Sequence, residues 1–395
     1  MQESLLKKHL GYAKFSSDPR VLILDTGYLV VRDLLDACED LGWQVTRVPA
    51  PQKGQSSGDF VGRLLEAVAR HKPDYVLTIN HLGFDVEGAL AQLLDRFDIC
   101  VASWFVDHPT LVLGSAEGIA TDSCQIFSFE RTALPWLEGK GFKDPAYLPT
   151  ASNGRYFRRG TVDESLAMKL ATKLSFVGNS WWTKSRLEPT AQIRKAARAL
   201  SRRKTITKEF FGGGLEERLH QIKAPTAAIR FDIAKAAVAE ASMQRRRRFA
   251  EALHPEGLRI HGDPHWREFV SDLDLGGTLD SKTELPALFA GSEINTNVTA
   301  EQMPTAVNQR VWDVPAVGGF LITDAQDDLL EFFTDEEDVV AYRSFEEAAD
   351  KVRFYADKPE LRRSIAARAE EKIGKEHRFT HRMLAVYEVM KRRFG

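Results

Sequence analysis

Short runs rich in apolar residues alternate with amphipathic stretches through the first part of the chain, and this alternation restricts the possible folds more than any other feature. The runs are four to eight residues long and stay apolar instead of alternating with polar residues. Such runs are typical of parallel strands that helices cover on both faces, so the pattern predicts a βαβ series and an α/β fold. The predicted strands are 21–24, 44–48, 75–79 and 99–106, followed by weaker ones at 125–129 and 146–149.

A second strand series begins after a polar link at 152–165, and the 395 residues are enough for two domains at roughly 100–200 residues each. The predicted strands of the second series are 174–178, 258–262, 293–298, 319–323 and 339–342. We predict an N-terminal domain over 1–165 and a C-terminal domain over 166–395, with a cleft between them. The second domain contains a helical insertion at about 187–256, and its last helix is a candidate to pack back on the first domain. Ligands of open α/β sheets gather at the carboxyl ends of strands, so functional residues are expected in the loops that follow strands.

Charge and cysteine content narrow the class of protein. Lys and Arg number 54 against 56 Asp and Glu, a net charge of −2, so no global field favours nucleic acid as a partner. The three cysteines have no metal-binding spacing and suggest a reducing compartment. The longest uncharged apolar stretch, 99–106, is far short of the roughly 20 residues that span a bilayer. We expect a cytoplasmic protein without an integral membrane segment, for which peripheral association stays open.

A run of four arginines, Arg245–Arg248, lies within the predicted helical insertion. One interpretation is a solvated helix surface. The other is a docking patch for an acidic partner or for membrane headgroups, to which clustered cations are attracted.

The segment 295–324 carries the most chemical information. A strand ends there in a polar loop, and we predict that a short helix begins near Thr305, with Thr305 as its N-cap. The free amides of the first turn would then form a pocket for an anion such as phosphate. Arg310 and Asp313 are three residues apart and share a helix face, so they either form an ion pair or contact a ligand. In the second case Arg310 lies near a phosphate and Asp313 accepts hydrogen bonds from ribose hydroxyls.

The run MPTAVNQRVWDVPAVGGFLITD (303–324), with the spacing of 329–355, resembles the C-terminal signature of the spore-maturation (CgeB-like) group of glycosyltransferases, in the GT-B class. The likeness covers 295–394 well, the loop SFVGN (175–179) fairly, and the first half only in pattern. It implies two Rossmann-like domains that face each other across a cleft. It also implies a nucleotide-diphosphate sugar held mainly by the second domain.

The resemblance also implies roles for individual residues. Many retaining GT-B enzymes hold the ribose with a Glu five residues before the glycine that ends this helix, and Asp313 stands at that position. The partner Glu eight residues earlier would fall on Thr305, which is not acidic, so retaining stereochemistry is not supported. Asn308 is a further candidate donor-binding residue. A DxD-type metal motif is normally absent from this class, and we predict no metal and no cofactor besides a UDP- or dTDP-linked donor.

Two other loops of the second half supply donor-binding candidates. In VGNSWWTKSR, Gly178 and Asn179 follow a strand where the backbone could approach a ligand, although a turn is the ordinary role of such a glycine. Lys184 and Arg186 are candidate cations for the diphosphate, because positive charge stabilises the departing oxygen. In IHGDPHW (260–266), His261, Asp263 and Trp266 could border a nucleobase pocket, and the alternative is a turn with a capped Asp263 and a core Trp266.

In the first half, SWFVDHP (103–109) places Asp107 and His108 at the carboxyl end of a strand. Either side chain could act as a base toward an acceptor hydroxyl, and a structural turn is the alternative. The loops DTGY (25–28) and NHLGFD (80–85) are weaker acceptor candidates. Motifs of serine hydrolases, P-loop NTPases and zinc proteases are absent from the sequence.

Together these features predict a hexosyltransferase-like glycosyltransferase that moves a sugar from a nucleotide-diphosphate donor to a hydroxyl of a glycan or protein. Two alternatives remain open. A nucleotide-sugar epimerase would need the same donor pocket without an acceptor groove. A non-catalytic assembly protein would keep the scaffold and bind a partner through Arg245–Arg248.

Overall fold

The computed structural model describes residues 10–15, 18–51, 57–182 and 226–395. The chain divides into two compact units. Unit 1 comprises Met1–Pro149 and Phe379–Gly395, and unit 2 comprises Thr150–Arg378. The predicted boundary lies after residue 165, whereas in this division the polar link at 152–165 belongs to unit 2 and the last helix to unit 1.

Unit 1 contains a parallel six-stranded sheet in the order β2-β1-β3-β4-β5-β6. Its strands are β1 (Arg20–Asp25), β2 (Gln44–Pro49), β3 (Tyr75–Ile79), β4 (Val101–Phe105), β5 (Cys124–Ser128) and β6 (Ala146–Tyr147). The helices between them are α1 (Leu29–Asp40), α2 (Ser57–His71), α3 (Ala89–Arg96), α4 (Pro109–Leu113) and α5 (Leu134–Gly139). Every residue of β3, β4 and β5 is buried, which explains why these strands are apolar throughout. All six strands predicted for the first half are confirmed.

Unit 2 contains a second parallel sheet, in the order β12-β11-β10-β7-β8-β9. Its strands are β7 (Leu174–Val177), β8 (Leu258–His261), β9 (Asp274–Gly276), β10 (Ile294–Thr296), β11 (Leu321–Asp324) and β12 (Val340–Tyr342). The helices are α6 (Glu164–Leu170), α7 (Ala227–Leu253), α8 (Glu284–Gly291), α9 (Arg310–Ala316), α10 (Asp327–Phe332), α11 (Phe345–Ala356) and α12 (Pro359–Glu376). The five predicted strands are confirmed. The edge strand β9 was not predicted, because its three residues include a single large apolar side chain.

The last helix, α13 (Phe379–Phe394), belongs to unit 1 and packs on α1. Short 3₁₀ turns lie at Arg131–Ala133, Arg159–Thr161, His254–Glu256 and Pro264–Glu268. Cys38, Cys100 and Cys124 are buried free thiols. Within the described ranges, none of the helices is both long and apolar enough to cross a bilayer.

Helix α7 is the described part of the predicted helical insertion, since 187–225 lie outside the described residues. The hydroxyl of Thr226 caps its first turn by accepting a hydrogen bond from the amide of Ile229 at 3.3 Å. The buried positions in its second half are Ala241, Ser242, Met243, Arg246, Phe249, Ala250 and Leu253, and from Ser242 onward they recur with helical spacing. An arginine therefore lies on the face that α7 turns toward the interior of unit 2.

Candidate functional site

The loops after β7 and β8 are joined at the carboxyl edge of the unit 2 sheet. The amide of Gly178 donates to the carbonyl of His261 at 2.9 Å, and the carbonyl of Gly178 accepts from the indole of Trp266 at 2.8 Å. The amide and hydroxyl of Ser180 donate to the carboxylate of Asp263 at 2.6 and 2.8 Å. Asp263 also caps the following turn, and Trp266 is fully buried. The structural interpretation of Asp263 and Trp266 is therefore confirmed.

Two glycines of these loops lie where a side chain would not fit. A Cβ on Gly262 would lie 2.2 Å from the carbonyl oxygen of Gly178, and a Cβ on Gly178 would lie 3.0 Å from the ring of Phe176. Each position thus has a packing reason for glycine. The donor-binding role predicted for Gly178 stays a prediction, as does that of Asn179, whose side chain is exposed.

Arg246 of α7 projects to this loop and is 5% exposed. Its guanidinium donates to the carbonyl oxygen of Asn179, and its Cζ lies 5.7 Å from the ring centroid of Phe176. Its Nε has no hydrogen-bond partner among the described residues. The solvated-surface interpretation of the arginine run is therefore wrong for Arg246, because this side chain is buried, and the docking interpretation stays a prediction.

Arg310 approaches the same aromatic ring from the start of α9. Its Nε donates to Oδ1 of Asn297 at 2.7 Å, and its Cζ lies 5.1 Å from the centroid of Phe176. Burial, followed by repulsion from Arg310, lowers the pKa of Arg246 to about 9, and burial lowers the pKa of Arg310 to about 10. In the described part of the chain, neither guanidinium forms an ion pair. A buried and a half-buried cation that share one ring favour an anion as the missing partner.

Arg245, the neighbour of Arg246 on α7, has its charge compensated within the protein. It forms ion pairs with Asp324 at 3.0 Å and with Glu301 at 3.4 Å. The amide and hydroxyl of Thr299 also donate to the Asp324 carboxylate, at 3.1 and 3.0 Å. The side chain of Arg245 is half-buried, whereas Arg247 and Arg248 are exposed.

The predicted helix start at Thr305 is wrong. Helix α9 begins at Arg310, and Thr305 lies in a bend whose carbonyl accepts a hydrogen bond from the amide of Asp328 at 3.1 Å. The side chains that follow, Ala306 and Val307, are buried. Packing of these apolar side chains holds the segment before the helix in a non-helical path.

Gln309 is the N-cap of α9 and makes no capping bond through its side chain, whereas Asn308, one residue earlier, bonds the first helical amide. Oδ1 of Asn308 accepts from the amide of Arg310 at 3.2 Å, and its backbone carbonyl accepts from the amide of Val311 at 3.1 Å. The amide of Asp313 donates to the carbonyl of Gln309 at 3.0 Å. The expected pocket of free amides is therefore wrong, and the positive charge at this edge comes from Arg246 and Arg310 instead.

Asp313 lies one turn into α9 and is 4% exposed. Its Oδ1 accepts from Nε2 of Gln309 at 3.0 Å. Asn308 donates through Nδ2 to Oδ1 of Asn297 at 2.9 Å, the same oxygen that Arg310 contacts. Three of the predicted donor-binding residues, Asn308, Arg310 and Asp313, thus share one helix start, and their ligand roles stay predictions.

His261, the last residue of β8, is buried. Its Nδ1 lies 3.3 Å from the carbonyl oxygen of Gly277, and burial lowers its pKa, which keeps the imidazole neutral at pH 7. Its predicted donor-binding role stays a prediction. Lys184 and Arg186, the predicted diphosphate cations, lie outside the described residues. Among the described residues, no group of three or more His, Cys, Asp or Glu side chains is placed to hold a metal ion.

A second polar cluster lies at the carboxyl edge of the unit 1 sheet, around Asp107. Oδ2 of Asp107 accepts from the hydroxyl of Tyr28 at 2.5 Å and from Nδ2 of Asn80 at 2.9 Å. These residues follow β1, β3 and β4, which are neighbours in the sheet. The sequence indicates the loops of Tyr28 and Asn80 only weakly, although Asn80 directly follows the predicted strand 75–79 and Tyr28 lies four residues after the predicted strand 21–24.

The structure separates the two predicted acceptor-side residues. His108 is 1% exposed and caps α4, since its Nδ1 accepts from the amide of Thr110 at 3.3 Å. Burial lowers the pKa of His108 to about 3, so its imidazole stays neutral near pH 7. The side chain of Asp107 is half-buried. The geometry favours Asp107 over His108 as the group that reaches a substrate.

Comparisons with known proteins agree with this architecture. Residues 245–388 match the family model described as "Glycosyl transferase-like", a range that includes Arg246, Arg310 and Asp313. No curated protein sequence matches the chain. The CgeB-like resemblance stays a prediction.

Solved structures resemble the chain over nearly its whole length. A sucrose-phosphate synthase of Thermosynechococcus elongatus has a TM-score of 0.53 at 11% identity, over 96% of this chain and 99% of that one. A glycosyltransferase of Rickettsia africae has a TM-score of 0.56 at 10% identity, over 95% and 99%. HepE of Anabaena, solved with UDP and glucose, has a TM-score of 0.54 at 9% identity, over 95% and 100%. With its two parallel six-stranded α/β units, the chain has the fold of the GT-B glycosyltransferases.

Proposed function

We propose that this protein is a glycosyltransferase that moves a sugar from a nucleoside-diphosphate donor to a hydroxyl of a glycan or protein. The fold and the family match over 245–388 support a glycosyltransferase-like protein. The observation that carries the donor class is the pair of the buried Arg246 and the half-buried Arg310, neither of which has an ion-pair partner among the described residues. UDP is the first nucleotide to test, because HepE has been solved with UDP and with UDP-glucose.

A diphosphate suits this site because its negative charge would compensate the positive charge of the two arginines. Guanidinium groups bind phosphate oxygens with paired hydrogen bonds. As the bond between the sugar and the diphosphate breaks, negative charge grows on the leaving oxygen, and cations already in place stabilise it. Arg246 and Arg310 would therefore bind the donor and also lower the barrier to transfer.

The remaining roles follow from position. Asp313, three residues after Arg310 on α9, would accept hydrogen bonds from the ribose hydroxyls. Asp107, at the carboxyl edge of unit 1, would accept the proton of the acceptor hydroxyl. The proposal thus assigns the donor to unit 2 and the acceptor to unit 1.

The test is calorimetry of the full chain with UDP, dTDP and GDP. We expect binding of UDP or dTDP, and we expect Arg246→Gln to weaken it about 10- to 100-fold, the usual effect of losing hydrogen bonds to a charged group. Arg247→Gln is the matched control, because Arg247 is exposed and pairs with Glu251 on the outer face of the same helix. Its affinity should stay within about twofold of the wild type.

Turnover then distinguishes the reaction. Donor consumption should rise when a hydroxyl acceptor is added, and the sugar should appear on that acceptor. Conversion of the donor to its epimer without an acceptor would instead identify an epimerase. If no nucleotide binds, or if Arg246→Gln binds as tightly as the wild type, the proposed donor site is wrong.

A further inference from the structure

One oxygen of Asp107 receives two hydrogen bonds from different parts of unit 1. The phenol of Tyr28 donates at 2.5 Å and the amide nitrogen of Asn80 at 2.9 Å, both to Oδ2. The two donors approach from the loops after β1 and β3, so they restrict rotation of the carboxylate in two directions. A side chain held in this way loses little conformational entropy when it meets a substrate.

The backbone around Asn80 is in an unusual conformation. Asn80 and His81 both have positive φ, +53° and +56°, a conformation that costs energy for residues with a side chain, although Asn and His tolerate it better than most. The amide of Asn80 donates to the carbonyl of Trp104 at 2.9 Å, and the hydroxyl of Thr78 donates to the carbonyl of Leu82 at 2.6 Å. These contacts hold the turn against its strain.

This turn directs the side chain of Asn80 onto the segment that carries Asp107. Oδ1 of Asn80 accepts from the amides of Val106 and Asp107, at 2.9 and 3.1 Å. Its Nδ2 donates to the carboxylate of the same aspartate. One buried side chain therefore fixes both the backbone and the carboxylate of Asp107.

Tyr28 supplies the second donor from an accessible position. Its residue is 39% exposed, so its ring borders the surface where a substrate could arrive. Burial of the hydroxyl, followed by the nearby Asp107 carboxylate, raises the pKa of Tyr28. The phenol therefore keeps its proton at neutral pH and remains a hydrogen-bond donor.

We propose that Asn80 and Tyr28 are positioning residues that hold the Asp107 carboxylate in the orientation needed to accept a proton from the acceptor hydroxyl. This inference rests on the proposed function. In the step, the acceptor oxygen forms a bond to the anomeric carbon while its proton passes to the Asp107 carboxylate. The bond from that carbon to the diphosphate oxygen breaks, and its electron pair leaves with the nucleoside diphosphate.

The test is a double-mutant cycle on kcat with Tyr28→Phe, Asp107→Asn and the double variant. Tyr28→Phe keeps the ring and removes only the donor, and we expect it to lower kcat about tenfold while the KM for the donor stays unchanged. In the Asp107→Asn background the same change should have almost no effect, because the group that it positions is gone.

Asn80→Asp tests the other donor. Aspartate keeps an oxygen for the two backbone amides and tolerates positive φ, but it replaces the donating nitrogen with an oxygen that faces Asp107. We expect kcat to fall at least as far as in Tyr28→Phe. Tyr12→Phe is the matched control, because the Tyr12 hydroxyl donates to the carbonyl of Pro73 at 2.7 Å and has no role in this cluster.

The hydrogen bond between Tyr28 and Asp107 can also be tested without an activity measurement. Asp107→Asn should lower the pKa of the Tyr28 phenol, measured as the alkaline absorbance change that Tyr28→Phe removes. An unchanged titration would overturn the contact. Two results would overturn the positioning role alone, provided that the wild type transfers the sugar. One is that the effects of Tyr28→Phe and Asp107→Asn on kcat are additive in the double variant. The other is that Tyr28→Phe and Asn80→Asp both keep the kcat of the wild type. Absence of nucleotide binding and transfer in the wild type would overturn the proposed function and the positioning role with it.

Discussion

Asp313 is a carboxylate in a place where an ionised side chain is costly unless it has hydrogen-bond partners. Gln309 supplies one of these, and the residue is almost fully buried at the start of α9. If Asp313 accepts hydrogen bonds from ribose, the wild type should bind UDP more tightly than 2′,3′-dideoxy-UDP. Asp313→Ala should weaken UDP binding about tenfold or more and bring the two affinities together, as measured by calorimetry.

Asn308→Ala is the control for this variant, because it disturbs the same helix start but removes no carboxylate. We expect it to retain the preference for the ribose hydroxyls. An unchanged dissociation constant for UDP in Asp313→Ala would refute the ribose assignment.

The start of α9 shows that the identity of a single residue does not determine where a helix begins. Thr305 and Asn308 are both good N-cap residues, and nothing in their identity favours one of them. Neither becomes the N-cap, because the helix starts at Arg310, after the buried Ala306 and Val307, with Gln309 as its N-cap. The sequence could identify the segment but not the residue at which the helix begins.

At the scale of an element, helix α7 places three consecutive arginines in three environments, because each residue turns the side chain by about 100°. Arg245 pairs with Asp324 and Glu301, and Arg247 pairs with Glu251. Arg246 makes no ion pair among the described residues, although the carboxylates of Asp263 and Asp324 are near enough to act on its charge. The same substitution should therefore have three different effects on the stability of the protein without ligand.

Arg245→Met should lower the free energy of unfolding by about 2–3 kcal/mol, because it leaves Asp324 buried without its cation. The loss is smaller than for a fully buried ion pair because Arg245 is partly exposed. Arg246→Met should raise the stability by about 1 kcal/mol, since it removes a buried charge that has no ion-pair partner in the described chain. Arg247→Met should change it by less than about 0.5 kcal/mol. Urea unfolding of the three variants makes the comparison.

The same unfolding experiment can be repeated in the presence of UDP. The ligand should stabilise the wild type and Arg247→Met, and it should stabilise Arg246→Met much less. A loss of stability in Arg246→Met similar to that in Arg245→Met would mean that Arg246 has a structural and not a ligand-binding role.

At the scale of the whole molecule, both units contain buried histidines whose pKa is lowered. Burial lowers the pKa of His81 from its ordinary value of 6.5 to about 4 and that of His108 to about 3, and it also lowers the pKa of His261. The unfolded chain therefore takes up protons near pH 6.5 while the folded chain does not. The free energy of unfolding should fall as the pH drops from 7 toward 4.

His108→Asn isolates one of these contributions, because asparagine can cap α4 in the same way but does not titrate. Between pH 7 and pH 5 this variant should lose about 1–2 kcal/mol less stability than the wild type, measured by urea unfolding. His71→Asn changes an exposed histidine at the end of α2 and should behave as the wild type does. Equal pH dependence in the wild type and His108→Asn would show that His108 is not buried neutral in the folded protein.

The sequence by itself determined the two strand series, the parallel α/β class and the loops that carry polar residues. These features depend on local patterns, since a strand covered on both faces must be apolar throughout and parallel strands bring their carboxyl ends to one edge. The short edge strand β9 was not predicted because it buries too few apolar side chains to produce such a pattern.

Only the tertiary structure decided which side chains meet. Arg246 contacts Asn179 across 67 residues, and Tyr28 contacts Asp107 across 79. A local pattern cannot encode such a pair, because the energy of a buried cation or of a carboxylate's orientation depends on groups supplied by other elements. For that reason an arginine run that looked like surface in the sequence contains one member of the candidate anion site.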